Sequence, residues 1–242
     1  MSEKLKRLAK QIKPNITNVV KDNKLILTLS GDVGTPYWYG DKEEDFINRK
    51  NVESLVGESD QDIVIKLNSP GGDVFDGIEV YNYLKDLPNK VTIEVTALAA
   101  SAASVIAMAG DELVMCKGSQ LMVHEASTIT WGNKADHYKT INALEAIDNS
   151  LVSVYEDKSG LERDVITSWL NEEKWFTAEE AVEQGLANSI KEVVKDPMAN
   201  AKASITIDTD DIVAKVVAKL NENNISKEKP KTGLTKLFKG AK

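Results

Sequence analysis

The chain has 242 residues, of which 42% are hydrophobic and 28% are charged, which excludes a wholly disordered protein. Its formal net charge of −8 argues against a nucleic-acid partner, because phosphate groups would be repelled. The single cysteine, Cys116, excludes an internal disulfide, and its apolar neighbours predict a buried small side chain rather than a catalytic thiol.

The first 23 residues are polar and rich in lysine, and we expect them to form a flexible lead-in. They contain no apolar run long enough for a secretory signal. The longest weakly polar stretch, residues 95–110, is too short and too interrupted by Ser and Thr to cross a bilayer. We therefore expect a soluble, cytoplasmic protein with no membrane partner.

Strands and helices alternate from residue 24 onward. Strands are predicted where aliphatic and β-branched residues cluster, over residues 24–30, 62–67, 91–95, 112–115 and 121–124. Helices are predicted where apolar residues recur three or four apart, over residues 74–84, 133–158, 164–170 and 178–184, with a further helix or helix-containing loop over 41–56. This alternation predicts one α/β domain over residues 24–194, with a mostly parallel sheet covered by helices.

Two segments differ from this regular alternation. The helix over residues 133–158 is the longest, and its spaced apolar residues, from Ile141 to Val154, predict one buried face. Residues 195–242 change composition and end in a lysine-rich stretch, so we expect a partly disordered C-terminal extension.

Two loops rich in small residues carry the first candidate site residues. Residues 68–73 follow a buried strand, and their Pro-Gly-Gly sequence can present a backbone N–H at the carboxyl end of that strand. Ser101 lies in the alanine-rich stretch 97–104, where small neighbours permit a tight strand-to-helix turn, although the Gly-x-Ser-x-Gly motif is absent. An ordinary turn and a helix-capping serine are the respective alternatives.

A nucleophilic serine needs a base, and the chain offers two histidines. His124 ends the apolar strand at residues 121–124 and is expected at a sheet edge, whereas His137 lies in a polar helix start and is interpreted as inert. Glu172 and Glu173 precede Trp175 and can either orient an imidazole or form a solvated charge cluster. No residues have the spacing of metal ligands, so neither a metal nor a cofactor is expected.

The order of four motifs resembles one family. Ser-Pro-Gly-Gly, Ala-Ala-Ser, Met-Val-His and Ala-Glu-Glu-Ala-Val-Glu-Gln-Gly-Leu are similar in sequence and order to the proteolytic subunit of the Clp protease, ClpP, over residues 24–192. The resemblance implies a ClpP/crotonase-like spiral of βαβ units with a protruding handle helix. It also implies a serine endopeptidase with Ser101 as nucleophile and His124 as base. The backbone N–H groups of Gly72 and Ala102 would then form the oxyanion hole.

The chain departs from the family pattern in three places. The family's catalytic aspartate corresponds to Glu173, with Glu172 as the fallback. The family's N-terminal pore and ATPase-docking segment has no counterpart in residues 1–23. Residues 131–160 resemble the ClpP-related proteases of phages and prophages, which are associated with head maturation. This branch implies protein or peptide substrates, self-association into rings, and capsid, portal or scaffold proteins as partners.

Three alternatives remain open. A host housekeeping peptidase would work with a Clp ATPase. A catalytically silent scaffold of the same fold is favoured by the change from aspartate to Glu173. A crotonase-type enzyme acting on acyl-CoA thioesters shares the fold but needs no serine–histidine pair, so Ser101 and His124 count against it.

Overall fold

The computed structural model describes residues 12–36 and 41–192. The expected C-terminal extension and residues 1–11 of the expected lead-in lie outside the described residues. The strands are β1 (Asn15–Lys21), β2 (Lys24–Ser30), β3 (Asp62–Ser69), β4 (Val91–Ala100), β5 (Glu112–Met115), β6 (Gln120–Val123), β7 (Lys174–Thr177) and β8 (Ser189–Ile190). The helices are a 3-10 turn (Glu43–Asp45), α1 (Arg49–Val56), α2 (Val74–Asp86), α3 (Ala102–Ala107), α4 (Lys134–Ser159), α5 (Arg163–Asn171) and α6 (Ala178–Glu183).

All these strands belong to one sheet, in the order β1-β2-β3-β4-β5-β8, with β6 pairing with both β4 and β7. The pairs β2–β3, β3–β4, β4–β5, β4–β6 and β5–β8 are parallel, whereas β1–β2 and β6–β7 are antiparallel. Strands and helices alternate along the chain, so the prediction of an α/β fold with a mostly parallel sheet is confirmed. Within the described ranges no helix is long and apolar enough to cross a membrane.

Strand β4 is longer than predicted and pairs with two neighbours in turn. Its first half pairs with β5, from Thr92↔Glu112 onward, and its second half pairs with β6, up to Ala100↔Met122. The ends of β4 and β6 therefore lie side by side. Because Ser101 follows β4 and His124 follows β6, this pairing brings the two predicted site residues to one edge of the sheet.

Helix α4 is buried at one end only. Its buried residues, Leu151, Val152 and Tyr155, all lie in its second half, where they join the hydrophobic core. The prediction of one continuous buried face is wrong for the first half, because Ile141 is 48% exposed. The capping box of Asn133 and Asp136 begins this helix, and Gly160 ends it in a left-handed conformation (φ 70°).

Three strands were not predicted from the sequence. Strand β1 lies within the expected lead-in and pairs residue by residue with β2, from Asn15↔Ser30 to Lys21↔Lys24. Strand β7 pairs antiparallel with β6, and β8 adds two residues beside β5. Strand β7 bears directly on the site, because it supports the strand that carries His124.

Candidate active site

Ser101 lies at the turn between β4 and α3 with φ 55° and ψ −129°. A non-glycine residue in such a region costs about 1–3 kcal/mol, so the surrounding structure must impose the conformation. Its neighbours do so by packing, since Ala100, Ala102 and Ala103 are buried. The sequence predicted a tight turn here but not its strained angle, which resembles the exposed serine turn that other hydrolases build with glycines.

The Pro-Gly-Gly loop packs directly on this turn. A Cβ atom on Gly71 would lie 2.7 Å from the Cβ of Ser101 and 2.5 Å from the carbonyl oxygen of Ala100. A Cβ atom on Gly72 would overlap the carbonyl oxygen of Val33. Neither glycine can be replaced without moving backbone, so the loop needs both of them for close approach and for their positive φ angles of 90° and 153°.

The backbone N–H groups of Gly72 and Ala102 are both without an acceptor among the described residues. Val33 N–H donates to the Gly71 carbonyl and the Val33 carbonyl accepts from Asp73 N–H, both at 2.9 Å. In such a parallel bridge the intervening N–H of Gly72 points to the other side. Ala102 begins α3, where an N–H has no helical partner. Both residues line one groove together with Ser101.

The imidazole of His124 contacts the hydroxyl of Ser101. The distance from His124 Nε2 to Ser101 Oγ is 2.8 Å. The N–H of Ser101 donates to the Met122 carbonyl at 2.9 Å, which extends the pairing of β4 with β6 by one residue. The structure therefore brings together two residues that the sequence placed in a strand-to-helix turn and at the end of a separate strand. His137, by contrast, is exposed on α4.

Burial lowers the pKa of His124 below its ordinary value of 6.5, while the charges of Glu173 and Asp148 act to raise it. A neutral imidazole is the form that can accept a proton from a serine hydroxyl. The lowered pKa therefore extends the pH range over which His124 is a competent base. The two carboxylates limit this effect and favour the imidazolium once a proton has been taken up.

Glu173 lies across from His124 through the pairing of β6 with β7. The last registered pair is Val123↔Lys174, and the next positions along the two strands are His124 and Glu173. Glu173 has a positive φ of 51°, and no hydrogen bond joins it to His124 in the described part of the chain. Glu172 is exposed, and its carboxylate accepts a hydrogen bond from the hydroxyl of Ser168 in α5 (3.0 Å). Its side chain is therefore directed at α5 rather than at His124.

Asp148 is a second carboxylate near the imidazole that the sequence analysis did not select. Its Oδ1 accepts a hydrogen bond from the N–H of Ala126 at 2.7 Å, which ties α4 to the segment after His124. Burial raises the pKa of Asp148, while the bond from Ala126 and the charge of His124 lower it. One feature of the sequence could have indicated Asp148. It is a charged residue spaced three and four positions from Leu151 and Leu144, on the apolar face of a predicted helix.

A groove of about 600 Å³ opens beside the Ser101–His124 pair. Its walls include Phe75 of α2, the segment 125–128, and apolar residues of α4 such as Leu144 and Leu151. The volume and the apolar lining suit a peptide side chain together with its flanking backbone. Cys116 is not among the lining residues, and burial raises the pKa of its thiol. In the described ranges no three His, Cys, Asp or Glu side chains converge as metal ligands would.

Comparison with known proteins finds one family. The sequence profile of the family described as Clp protease matches residues 47–194. The ATP-dependent Clp protease proteolytic subunit of Bacteroides fragilis is 30% identical over 132 residues, covering 54% of this chain and 64% of that protein. Proteolytic subunit 1 of Chlamydia muridarum is 35% identical over 137 residues, covering 54% and 70%. Proteolytic subunit 3 of Rhodococcus jostii is 29% identical, covering 54% and 65%. The chain thus spans just under two thirds of the first and third of these relatives.

Proposed function

Because the chain belongs to the Clp protease family, we propose that it is a serine-type endopeptidase that hydrolyses peptide bonds through an acyl-enzyme. The observation that carries this proposal is the 2.8 Å contact between His124 Nε2 and Ser101 Oγ at the groove. A silent scaffold has no need of a strained serine held against a histidine. The contact therefore favours catalysis over that alternative.

In the proposed acylation step, neutral His124 takes the hydroxyl proton of Ser101 while Oγ bonds to the carbonyl carbon of the substrate. The carbonyl oxygen becomes an oxyanion, which the N–H groups of Gly72 and Ala102 stabilise by hydrogen bonds. The imidazolium then gives its proton to the amine nitrogen as the peptide C–N bond breaks. The amine leaves, and the acyl group stays on Ser101 as an ester.

Deacylation repeats the sequence with water. His124 takes a proton from a water molecule, whose oxygen attacks the ester carbon, and returns the proton to Oγ as the acid product leaves. In this proposal Glu173 supports both steps by holding a negative charge near the imidazolium, which is consistent with its position opposite His124 in the β6–β7 pairing. The Glu173 side chain is one methylene longer than that of aspartate. The residue has a positive φ and lies at the turn leading into β7.

The proposal is tested by mass spectrometry after reaction with a fluorophosphonate probe, which labels activated serines. Labelling is expected at Ser101 in the wild-type protein and in Ser119→Ala, a control change at a buried serine away from the groove. Ser101→Ala should lose both labelling and hydrolysis of a fluorogenic peptide. Normal labelling of Ser101→Ala, with retained hydrolysis, would contradict the assignment and make Ser104 the next candidate.

We further propose that the protein self-associates into rings that enclose the active sites. The support is a set of exposed apolar residues on the segment after His124 and the first half of α4: Ile129 (99% exposed), Trp131 (97%), Tyr138 (56%) and Ile141 (48%). Large exposed apolar side chains grouped in this way mark interaction surfaces. Light scattering that finds an active monomer at micromolar concentration would contradict the proposal.

We propose a phage- or prophage-type protease, active in the host cytoplasm, that processes capsid, portal or scaffold proteins. The resemblance of residues 131–160 supports it, and the family match ending at residue 194 supports a protease domain over 24–194 with a separate C-terminal extension. The alternative, a housekeeping peptidase with a Clp ATPase partner, is supported by relatives named ATP-dependent proteolytic subunits.

Two incubations of the full chain distinguish the phage role from the housekeeping role. One contains the capsid protein encoded nearby and reads for discrete cleavage without ATP. The other contains an unstructured protein with and without a Clp ATPase and ATP. Cleavage of capsid protein without ATP supports the phage role. Degradation that needs the ATPase, with capsid protein intact, supports the housekeeping role.

A further inference from the structure

Three donors converge on the carbonyl oxygen of Ser101. The backbone N–H of Ser104 donates at 2.8 Å and that of Val105 at 3.4 Å. The hydroxyl of Ser104 donates at 2.6 Å, the shortest of the three. The two backbone bonds belong to the start of α3, whereas the third depends on the identity of one side chain.

The Ser104 hydroxyl is itself hydrogen-bonded to α4. Its oxygen lies 2.7 Å from the phenol oxygen of Tyr155. Because Ser104 has one hydroxyl proton and directs it at the Ser101 carbonyl, Tyr155 must be the donor in the second bond. Burial raises the pKa of the Tyr155 phenol, which keeps that proton in place. Both side chains are buried, at 0% and 2% exposure, so both hydroxyls are shielded from bulk solvent.

The Ser101 carbonyl and the Ala102 N–H belong to one peptide group. That group is planar and, like every peptide bond in the described ranges, not cis, so its C=O and N–H point in opposite directions. Fixing the carbonyl therefore fixes the direction of the N–H. Hydrogen bonds to the carbonyl oxygen also polarise the group, which strengthens its N–H as a donor.

We propose that Ser104 and Tyr155 are positioning residues that orient and polarise the Ser101–Ala102 peptide, so that the Ala102 N–H points into the groove. The inference rests on the proposed function, in which this N–H stabilises the oxyanion. It also explains why the strained angle of Ser101 persists, since the chain of hydrogen bonds holds the carbonyl that follows it. Ser104 acts through the peptide and does not contact substrate.

A positioning role predicts a specific pattern of kinetic loss. Removing an oxyanion donor outright costs about 10²–10³-fold in kcat, and misdirecting one should cost less. We expect about a 10-fold loss of kcat for Ser104→Ala with KM unchanged, and about a 3-fold loss for Tyr155→Phe, which leaves the Ser104 bond in place. Affinity for a peptide boronic acid, which mimics the transition state, should fall in parallel with kcat, while affinity for cleaved product peptides stays the same.

The double variant Ser104→Ala/Tyr155→Phe separates positioning from packing. Ser104→Ala alone leaves the buried Tyr155 hydroxyl unpaired and should lower the melting temperature, whereas the double variant removes both hydroxyls and should regain stability. Its kcat should stay as low as that of Ser104→Ala, because the second change cannot remove a bond already lost. Ser119→Ala and Tyr83→Phe are matched controls, since Ser119 is buried with an unpartnered hydroxyl in the described structure and Tyr83 is half-buried.

The possible results distinguish failure of the positioning role from failure of the proposed function on which it rests. If kcat recovers together with the melting temperature in the double variant, or if the loss falls on KM, the two residues are only structural and the inference is overturned. Wild-type kcat in Ser104→Ala overturns it as well. If the wild-type protein neither cleaves peptides nor labels at Ser101, the proposed function fails and takes the inference with it.

Discussion

The two sides of the groove differ in how much of the chain covers them. On the side of Ser101, every residue from 102 to 110 is buried, and the second half of α4 packs against this region. On the side that follows His124, residues 125–146 are mostly exposed, and Ile129 and Trp131 have almost no contact with the rest of the chain. We call these the Ser101 side (residues 99–110) and the His124 side (residues 125–146).

This difference separates two requirements of a peptidase. A strained nucleophile with aligned N–H donors needs a rigid surround, which the protein core provides on the Ser101 side. The His124 side leaves apolar side chains exposed, where the proposed substrate or a second copy of the chain would contact them. If the two sides differ in function as they differ in burial, substitutions on the Ser101 side and on the His124 side should have different effects.

The largest effect is expected from the two residues that meet across the groove. Ser101→Ala and His124→Ala should each lower kcat/KM by at least about 10⁴-fold, because nucleophile and base act as a unit. Both variants should keep the circular dichroism spectrum and melting temperature of the wild type. A His124→Ala protein that retains most of its activity would place the base elsewhere.

Glu173, the acid proposed to support His124, should show the next largest effect. Glu173→Gln keeps the shape of the side chain but removes its charge, and we expect about a 10²-fold loss of kcat. Glu172→Gln is the matched control and should change kcat less than about twofold, because Glu172 is bonded to Ser168. The reverse result would reassign the role to Glu172, and small equal effects would point to Asp148 or to the backbone.

Stability should distinguish the two halves of α4. Leu151→Ala removes a side chain that is 4% exposed and should lower the free energy of unfolding by about 3 kcal/mol. Ile141→Ala changes a side chain that is 48% exposed and should have an effect within about 0.5 kcal/mol. Urea unfolding at low protein concentration measures both. A large effect of Ile141→Ala under monomeric conditions would mean that the first half is covered within the chain.

Self-association, unlike stability, should depend on the exposed apolar residues of the His124 side. Ile129→Ser and Trp131→Ser are each expected to weaken association by about 10-fold or more, since buried aromatic and aliphatic anchors dominate interfaces. Val165→Ser, at a side chain that is 40% exposed on α5, is the control and should leave association unchanged. Sedimentation velocity over a dilution series measures these changes. Unaltered sedimentation of both variants would remove the His124 side from the interface.

The smallest effect concerns pH. The base works only when neutral, and burial lowers the pKa of His124, so kcat/KM should hold below pH 6.5 and fall only as the pH drops through the lowered value. Glu173→Gln removes a charge that raises this pKa, so its acidic limb should lie lower still. A pH profile of residual peptide hydrolysis tests both. An acidic limb above pH 6.5 would contradict the effect of burial.

The sequence predicted the pieces of the site better than the contacts between them. Strand β2 was predicted with its observed bounds, because the aliphatic run Leu25–Leu29 is closed by the turn signal of residues 31–34. The meeting of Ser101 with His124 followed from the order of motifs. The angle of Ser101 was out of reach, since it comes from packing of Gly71 and the alanines rather than from any local signal.

Long-range polar contacts and short strands were the main omissions. The hydrogen bond of Ser104 to Tyr155 joins residues 51 positions apart, and nothing in either local sequence indicates it. Strand β8 has two residues, too few for a periodic pattern, and β7 (Lys-Trp-Phe-Thr) lacks the aliphatic run that indicated β5 and β6. Strand β1 was missed because most of its residues are exposed and polar, and its formation depends on pairing with β2 and on contacts with α1.

Strand β6 gains its second neighbour late in synthesis. It pairs with β4 on one side and with β7 on the other, and β7 begins about 50 residues after β6 ends. At a translation rate of about 5–20 residues per second, the segment bearing His124 emerges from the ribosome some seconds before β7 and Glu173. In a nascent chain, the strand that precedes His124 is therefore paired with β4 on one side only. The Ser101–His124 pair therefore acquires its full β-sheet support only after nearly the whole domain, through β7, has been synthesised.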